Sequence, residues 1–188
     1  MKKLPLSDIH KNLGGKMIDF SGYSMPVQYT EGIKAEHFTV RKSVGVFDVS
    51  HMGEIFISGE KALEFLQYIT TNDVSKLTPG KVQYTCLPNE KGGIVDDLLL
   101  YMIQEDDYLL VVNASNIEKD LLWINNYNNF GCTVENKSDN YCLLAVQGPK
   151  SISLLQNLTD IKLKEIKYYN FKIGSIAGIN DVILSRTG

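Results

Sequence analysis

Two adjacent aspartates stand inside an apolar run. Residues 92–103 read GGIVDDLLLYMI, so Asp96 and Asp97 have Ile94 and Val95 before them and six uninterrupted apolar residues, 98–103, after them. The length of the run and its glycine boundary predict a strand. Side chains alternate along a strand, which puts Asp96 on one face with Ile94, Leu98 and Leu100, and Asp97 on the other with Val95, Leu99 and Tyr101. The two carboxylates therefore do not form a dyad. Each needs its own partners, because an unpaired buried charge is costly. A strand-end acid of this kind can cap the N–H groups of a neighbouring loop. A carboxylate beside a tyrosine on an apolar face can also form the wall of a site for a flat, amphipathic ligand, whose ring nitrogens it would hydrogen-bond. The residues alone leave both readings open.

Around this strand the pattern is mixed. Residues 82–87 and 94–103 flank the turn PNEKGG and predict a hairpin, and an acidic turn at 104–107 leads to a third strand at 108–113. Ser115 with Glu118 has the spacing of a capping box opening a helix that runs to about residue 127. The first fifty residues read as short helices and turns, with a helix over 31–43 and an irregular crossing at 22–26 where Gly and Pro punctuate the chain. One unit recurs. At an offset of 89 residues, Gly59, Lys61, Leu66, Gln67 and Thr70 fall on Gly148, Lys150, Leu155, Gln156 and Thr159, each following a strand, at 51–58 and 142–146. Two strand–Gly–helix units predict an α+β fold, with mixed or antiparallel sheets, packed helices and a repeated unit.

Composition narrows the function classes. With 44% hydrophobic and 22% charged residues the chain is of globular type, and its longest apolar run is far short of the ~20 residues a spanning helix needs. A net charge of −3, with lysines spread along the chain, gives no basic stripe, so neither nucleic acid nor membrane is expected as a partner. The N-terminus lacks a targeting pattern, which makes the cytoplasm the expected compartment. Cys86, Cys132 and Cys142 are odd in number and contain no CxxC pair, so free thiols are expected and no metal site is readable. With 17 Lys against two Arg, Arg41 and Arg186 mark places where a planar donor fork could be needed. Ser50 and His51 are sequence neighbours that point apart in a strand, and are read as structural.

Longer motifs point to a family. GGKMIDFSGYSMPVQY at 14–29, VRKSVGVFDVSHMGE at 40–54, NEKGGIVDDLLLY at 89–101 and VVNASNIEKDLLWI at 111–124, with AVQGPK at 145–150 and SRTG at 185–188, closely resemble the glycine cleavage system T proteins, the aminomethyltransferases. The match runs in order from about residue 5 to 188. The resemblance implies an enzyme that takes the aminomethyl group from the S-aminomethyl-dihydrolipoyl arm of the H protein. It delivers the carbon to tetrahydrofolate as 5,10-methylenetetrahydrofolate and releases ammonia.

By the same match the second aspartate of the DDL motif, Asp97, is the critical carboxylate. Folate contacts are expected from Met52, Tyr84, Asp97, Leu99, Tyr101, Asn113 and, on a weaker match, Tyr169. No metal is implied; the lipoyl group comes from the partner H protein. The expected organisation is a helical and irregular segment over 1–50, a folate-binding α+β region over 51–140, and a second α+β region over 141–188. The family pattern continues past SRTG into further domains, so the chain is expected to correspond to the N-terminal part and to be inactive alone. Two alternatives share the fold: a folate-binding relative without transferase activity, such as the iron–sulfur maintenance proteins, and the folate domain of dimethylglycine or sarcosine oxidising enzymes.

Overall fold

A computed structural model describes residues 1–188. In chain order the elements are β1 (Lys2–Lys3), α1 (Ser7–Asn12), β2 (Lys16–Phe20), β3 (Tyr23–Gln28), α2 (Ile33–Lys42), β4 (Gly45–Asp48), β5 (Gly53–Ser58), α3 (Ala62–Ile69), β6 (Val82–Pro88), β7 (Ile94–Gln104), β8 (Asp107–Val112), α4 (Ile117–Tyr127), β9 (Thr133–Asn136), β10 (Leu144–Gln147), α5 (Ser151–Leu155), β11 (Asn170–Ile176) and β12 (Ile179–Arg186).

The main sheet is antiparallel throughout, in the order β6-β7-β8-β5-β9, and β7 is its longest strand. One of its faces is fully covered and the other partly, which is why β7 reads as a nearly continuous apolar run. On one face Ile55, Leu98, Leu100, Leu110 and Val112 pack with Phe65, Leu66 and Ile69 of α3 and with Ile124 of α4. On the other, Val82, Tyr101, Leu109 and Val111 pack with Phe171 of β11. The turn before β7 is closed by Asn89, whose side-chain oxygen accepts from the N–H groups of Lys91 (3.0 Å) and Gly93 (2.9 Å).

The repeated unit is real in three dimensions. Gly59 and Gly148 both adopt positive φ, +129° and +124°. Gln67 accepts from Val74 N (2.8 Å), and Gln156 accepts from Leu163 N (3.0 Å), which preserves the offset of 89. Gln67 in α3, and Gln156 in the 3-10 turn that extends α5, are thereby each tied to the 3-10 turn that follows, and each of those turns leads to a hairpin, β6–β7 or β11–β12. The identical glutamines are thus the hydrogen-bonded joints of the unit.

Three local expectations are corrected. Residues 22–26 are not an irregular crossing: β2 and β3 form an antiparallel hairpin through Ser21 and Gly22, both at positive φ, and β1 joins β3 in parallel. Ser115 and Glu118 form no capping box, because a 3-10 turn over Ala114–Asn116 precedes α4 and no side chain caps the helix. The strand predicted at 142–146 begins two residues later and pairs with β4, joining the segment before residue 50 to the segment after 141. Helix α2 buries no residue, and Ile33, Phe38, Val46 and Phe47 are exposed on this side of the molecule. No helix is long and apolar enough to cross a membrane.

Gly148 carries a direct test of this geometry. An added Cβ would collide with the carbonyl oxygens of Ser43 and Val40, the latter at 2.7 Å, whereas at Gly131 (φ +74°) it would meet nothing within 4 Å. Gly148→Ala is expected to cost about 3 kcal/mol in urea unfolding and Gly131→Ala about 1 kcal/mol, the strain of a left-handed conformation alone.

Candidate functional site

Asp97 projects from β7 on the face opposite the two helices. Across the β6–β7 pair it lies beside Cys86, and Tyr84 lies beside Leu99, so Tyr84 is a diagonal neighbour within reach of the carboxylate. Its hydroxyl donates to Asp97 Oδ2 at 2.9 Å. That bond, followed by burial, raises the Tyr84 phenol above its ordinary pKa. Half of the Tyr84 surface remains exposed.

On the other side Asn113 leaves the end of β8. Its Nδ2 donates to Asp96 Oδ1 (2.9 Å) and Asp97 O (3.1 Å), with a longer contact to Asp97 Oδ1 (3.3 Å). Asp97 is therefore held by two neutral donors and takes part in no ion pair. Such a carboxylate keeps acceptor capacity for further N–H groups.

The remaining expected residues surround an apolar wall on the same face. Leu99, Met52 and Tyr169 are half-buried against the cluster of Val82, Tyr101, Leu109, Val111 and Phe171. Tyr101 is only 5% exposed; its ring lies 5.4 Å from that of Phe171, and its hydroxyl donates to Ser185 Oγ at 3.3 Å. Burial raises its phenol pKa. Tyr169 sits at φ +57° and joins two hairpins through its backbone: its N–H donates to Arg186 O (2.7 Å) and its carbonyl accepts from Val82 N (2.9 Å). The fold brings Tyr84, Asp97 and Asn113 into direct contact and gathers Met52, Leu99, Tyr101 and Tyr169 beside them.

Of the other residues singled out in the sequence, Ser50 and Arg186 have structural partners. Ser50 and His51 lie in a turn before β5 and not in a strand, and Ser50 Oγ accepts from Leu143 N at 3.0 Å. Burial lowers the His51 pKa, and its Nδ1 is buried without a partner. Arg186 donates to the carbonyl of Ile166 at 3.2 Å. The three cysteines are free thiols. No group of three or more His, Cys, Asp or Glu is arranged to hold a metal.

Two acids that the sequence reading missed are buried here. Glu54 is 3% exposed, with Oε2 unpartnered, and burial pushes its carboxyl up to about 7. It lies opposite Val111, which lies opposite Leu99, so Glu54 shares the Asp97 face of the sheet. Asp120 is fully buried on α4, and neither of its oxygens receives an N–H. Burial, then the neighbouring Asp96, pushes it up to about 8. A signal for Asp120 was present: it shares the helical stripe of Ile117 and Ile124, where a charged residue is out of pattern.

A family model described as the GCVT N-terminal domain matches residues 6–188. The chain belongs to that family. It is 57% identical over 188 residues to an aminomethyltransferase of Flavobacterium psychrophilum and 58% identical to one of Bacteroides fragilis, covering all of this chain and 52% of each relative. It therefore spans about half the length of the curated relatives it matches. Among solved structures it is similar to glycine cleavage system aminomethyltransferase T from Bartonella henselae, with a TM-score of 0.89 and 34% identity over all of this chain and 50% of that one. The heterotetrameric sarcosine oxidase from Corynebacterium sp. U-96 shares the fold, with a TM-score of 0.61 at 15% identity, over 98% of this chain and 81% of that one. The α+β architecture of this GCVT domain is thus that of the aminomethyltransferases.

Glu54 yields a pH prediction for the domain. Its carboxyl sits near 7 in the native state against about 4.3 unfolded, so the native chain holds the extra proton between those values. Stability is then lost as pH rises from about 4 to 7, by about 4 kcal/mol. Glu54→Gln is expected to make the fall of the urea midpoint over that window shallower.

Proposed function

We propose that this GCVT domain is the folate-binding part of a glycine cleavage aminomethyltransferase. The whole protein would transfer the aminomethyl carbon of S-aminomethyl-dihydrolipoyl H protein to tetrahydrofolate, giving 5,10-methylenetetrahydrofolate and ammonia. The observation that carries this reading is the Asp97 carboxylate, held by Tyr84 and Asn113 at the border of an apolar wall and neutralised by no cation. Its chemistry fits a flat heterocycle with N–H groups on its edge: Leu99, Met52 and Tyr169 offer apolar contact, and Asp97 accepts hydrogen bonds. Tetrahydrofolate, as co-substrate, supplies the amine nitrogens that receive the carbon.

The residues of this chain have three tasks in that reaction. Asp97 orients the acceptor nitrogens, and its negative charge stabilises the positive charge that develops as ammonia leaves. Tyr84 and Asn113 hold the carboxylate in one rotamer, which removes a reorganisation step. The apolar wall excludes water from one side of the reacting group. The exposed Ile33, Phe38, Val46 and Phe47 give this domain an apolar surface beside the site-bearing sheet's neighbouring β4–β10 pair. We assign the protein to glycine catabolism on the same family grounds, and to the cytoplasm on the sequence grounds given above.

Asp97→Asn in the full-length protein tests the assignment. Methylenetetrahydrofolate formation from aminomethylated H protein is expected to fall by about 100-fold or more, the scale of losing a charge aimed at the transition state; undiminished turnover would overturn it. Tyr84→Phe is expected to raise KM for tetrahydrofolate several-fold while leaving the unfolding temperature nearly unchanged, because the ring stays in place and its hydroxyl is exposed. Calorimetric titration of the 188-residue chain with tetrahydrofolate is expected to show weak binding or none, and micromolar affinity would contradict the incomplete site.

A further inference from the structure

The least compensated group in the molecule lies directly behind Asp97. Asp120, on α4, is 0% exposed and faces Asp96 of β7, which is 5% exposed. Asp96 has donors enough for a full charge: Asn113 N (3.3 Å), Asn113 Nδ2 (2.9 Å) and Asn116 Nδ2 (2.8 Å). Burial pushes the Asp96 carboxyl up, but hydrogen bonds from Asp120, Asn113 and Asn116 outweigh it, and its pKa is lowered. Asp120 has no N–H donor at either oxygen. Two adjacent buried carboxylates cannot both ionise without a large penalty, so one proton belongs to the pair. The donors around Asp96 place that proton on Asp120, and Asp120 O–H donates to Asp96.

The chain of contacts does not end there. The same Asn113 Nδ2 that meets Asp96 also meets the Asp97 carbonyl and carboxylate, so one amide group links the two faces of β7. We propose that Asp120 is a positioning residue for Asp97: as the neutral acid it anchors Asp96, Asp96 fixes the Asn113 amide, and Asn113 fixes the Asp97 carboxylate on the opposite face. The inference rests on the reading of Asp97 as the reacting carboxylate, but the proton on Asp120 can be tested without it. The charged groups facing Asp120 are Asp96 and Asp97 on β7 and Lys119 on its own helix, whose Nζ donates to Val95 O at 2.6 Å. Strands β5 and β8 and helix α3 meet this face through Ile55, Val112 and Phe65, which carry no charge.

The sign of the titration follows from these contacts. The native state keeps the Asp120 proton up to about 8, while the unfolded chain loses it near 3.9. Stability from this group is complete below the lower value and is lost as pH rises to the upper one. Asp120→Asn keeps a donor toward Asp96 and cannot ionise. Asp120→Leu fills a similar volume and cannot donate.

Two measurements on the full-length protein test the proposal. In the first, the melting temperature of Asp120→Asn minus that of the unsubstituted protein should climb steadily between pH 4 and 8. The Glu54 contribution is common to both and cancels. Parallel curves would overturn the shared proton. In the second, kcat/KM for tetrahydrofolate is followed with pH. The unsubstituted protein should lose activity above about pH 8, and Asp120→Asn should lack that loss. Asp120→Leu, folded by circular dichroism, should fall about tenfold or more at pH 7, the worth of one charge-assisted hydrogen bond. A folded Asp120→Leu with undiminished kcat/KM would overturn the positioning role. Failure of the underlying reading looks different: Asp97→Asn would then keep its turnover while the melting-temperature difference of Asp120→Asn still climbed.

Discussion

Strand β7 is buried on its helix face and half-buried on the other, and that constraint organises the rest of the molecule. A strand in such a place must be apolar on both faces, and any charge on it must be met locally on the face it points to. Asp96 meets its partners on the helix side, from Asn113, Asn116 and Asp120; Asp97 meets its partners on the other, from Tyr84 and Asn113. Helix α4, the end of β8 and strand β6 are positioned in part by what these two acids require. The repeated unit then supplies the second layer. Its β11–β12 hairpin brings Phe171 and Ser185 against Tyr101 and closes the far side of the apolar wall.

Asn113 matters more than its size suggests. A primary amide has two protons and a fixed plane, so an Nδ2 that meets Asp96 and Asp97 together couples their positions. The polar path from a fully buried helical acid to a carboxylate on the opposite sheet face passes through this one group. In a low-dielectric setting such a path is effective only when every member is satisfied. That condition is why the protonation of Asp120 bears on the geometry of Asp97.

Much of this was legible because it depends on short-range periodicity. The alternation along residues 94–103 separated the two acids correctly, and the hairpin glycines located β6 and β7. The five identities at the offset of 89 residues marked the paired glycines and glutamines before any contact was known. The misses share a different cause. The β2–β3 hairpin was missed because Gly22 was read with Pro26 as a break, whereas Ser21 and Gly22, both at positive φ, form its two-residue turn and Pro26 lies within β3. The capping box at Ser115 failed because the 3-10 turn before α4 displaced the helix start. Asp120 was passed over although it falls on the apolar stripe of Ile117 and Ile124, because periodicity shows that a residue faces the sheet but not which group meets it there.

By itself the sequence determined the strand with its opposed acids, the repeated unit and the family to which they belong, because periodicity and motif spacing are properties of neighbours along the chain. Only the tertiary structure decided which groups satisfy those acids. The pairing of Asp96 with Asp120, the span of Asn113 across β7 and the burial of Glu54 depend on strand register and on how α4 lies on the sheet. A carboxyl's charge state is set by the groups packed around it, and residues such as 96 and 120 become neighbours only when the chain has folded.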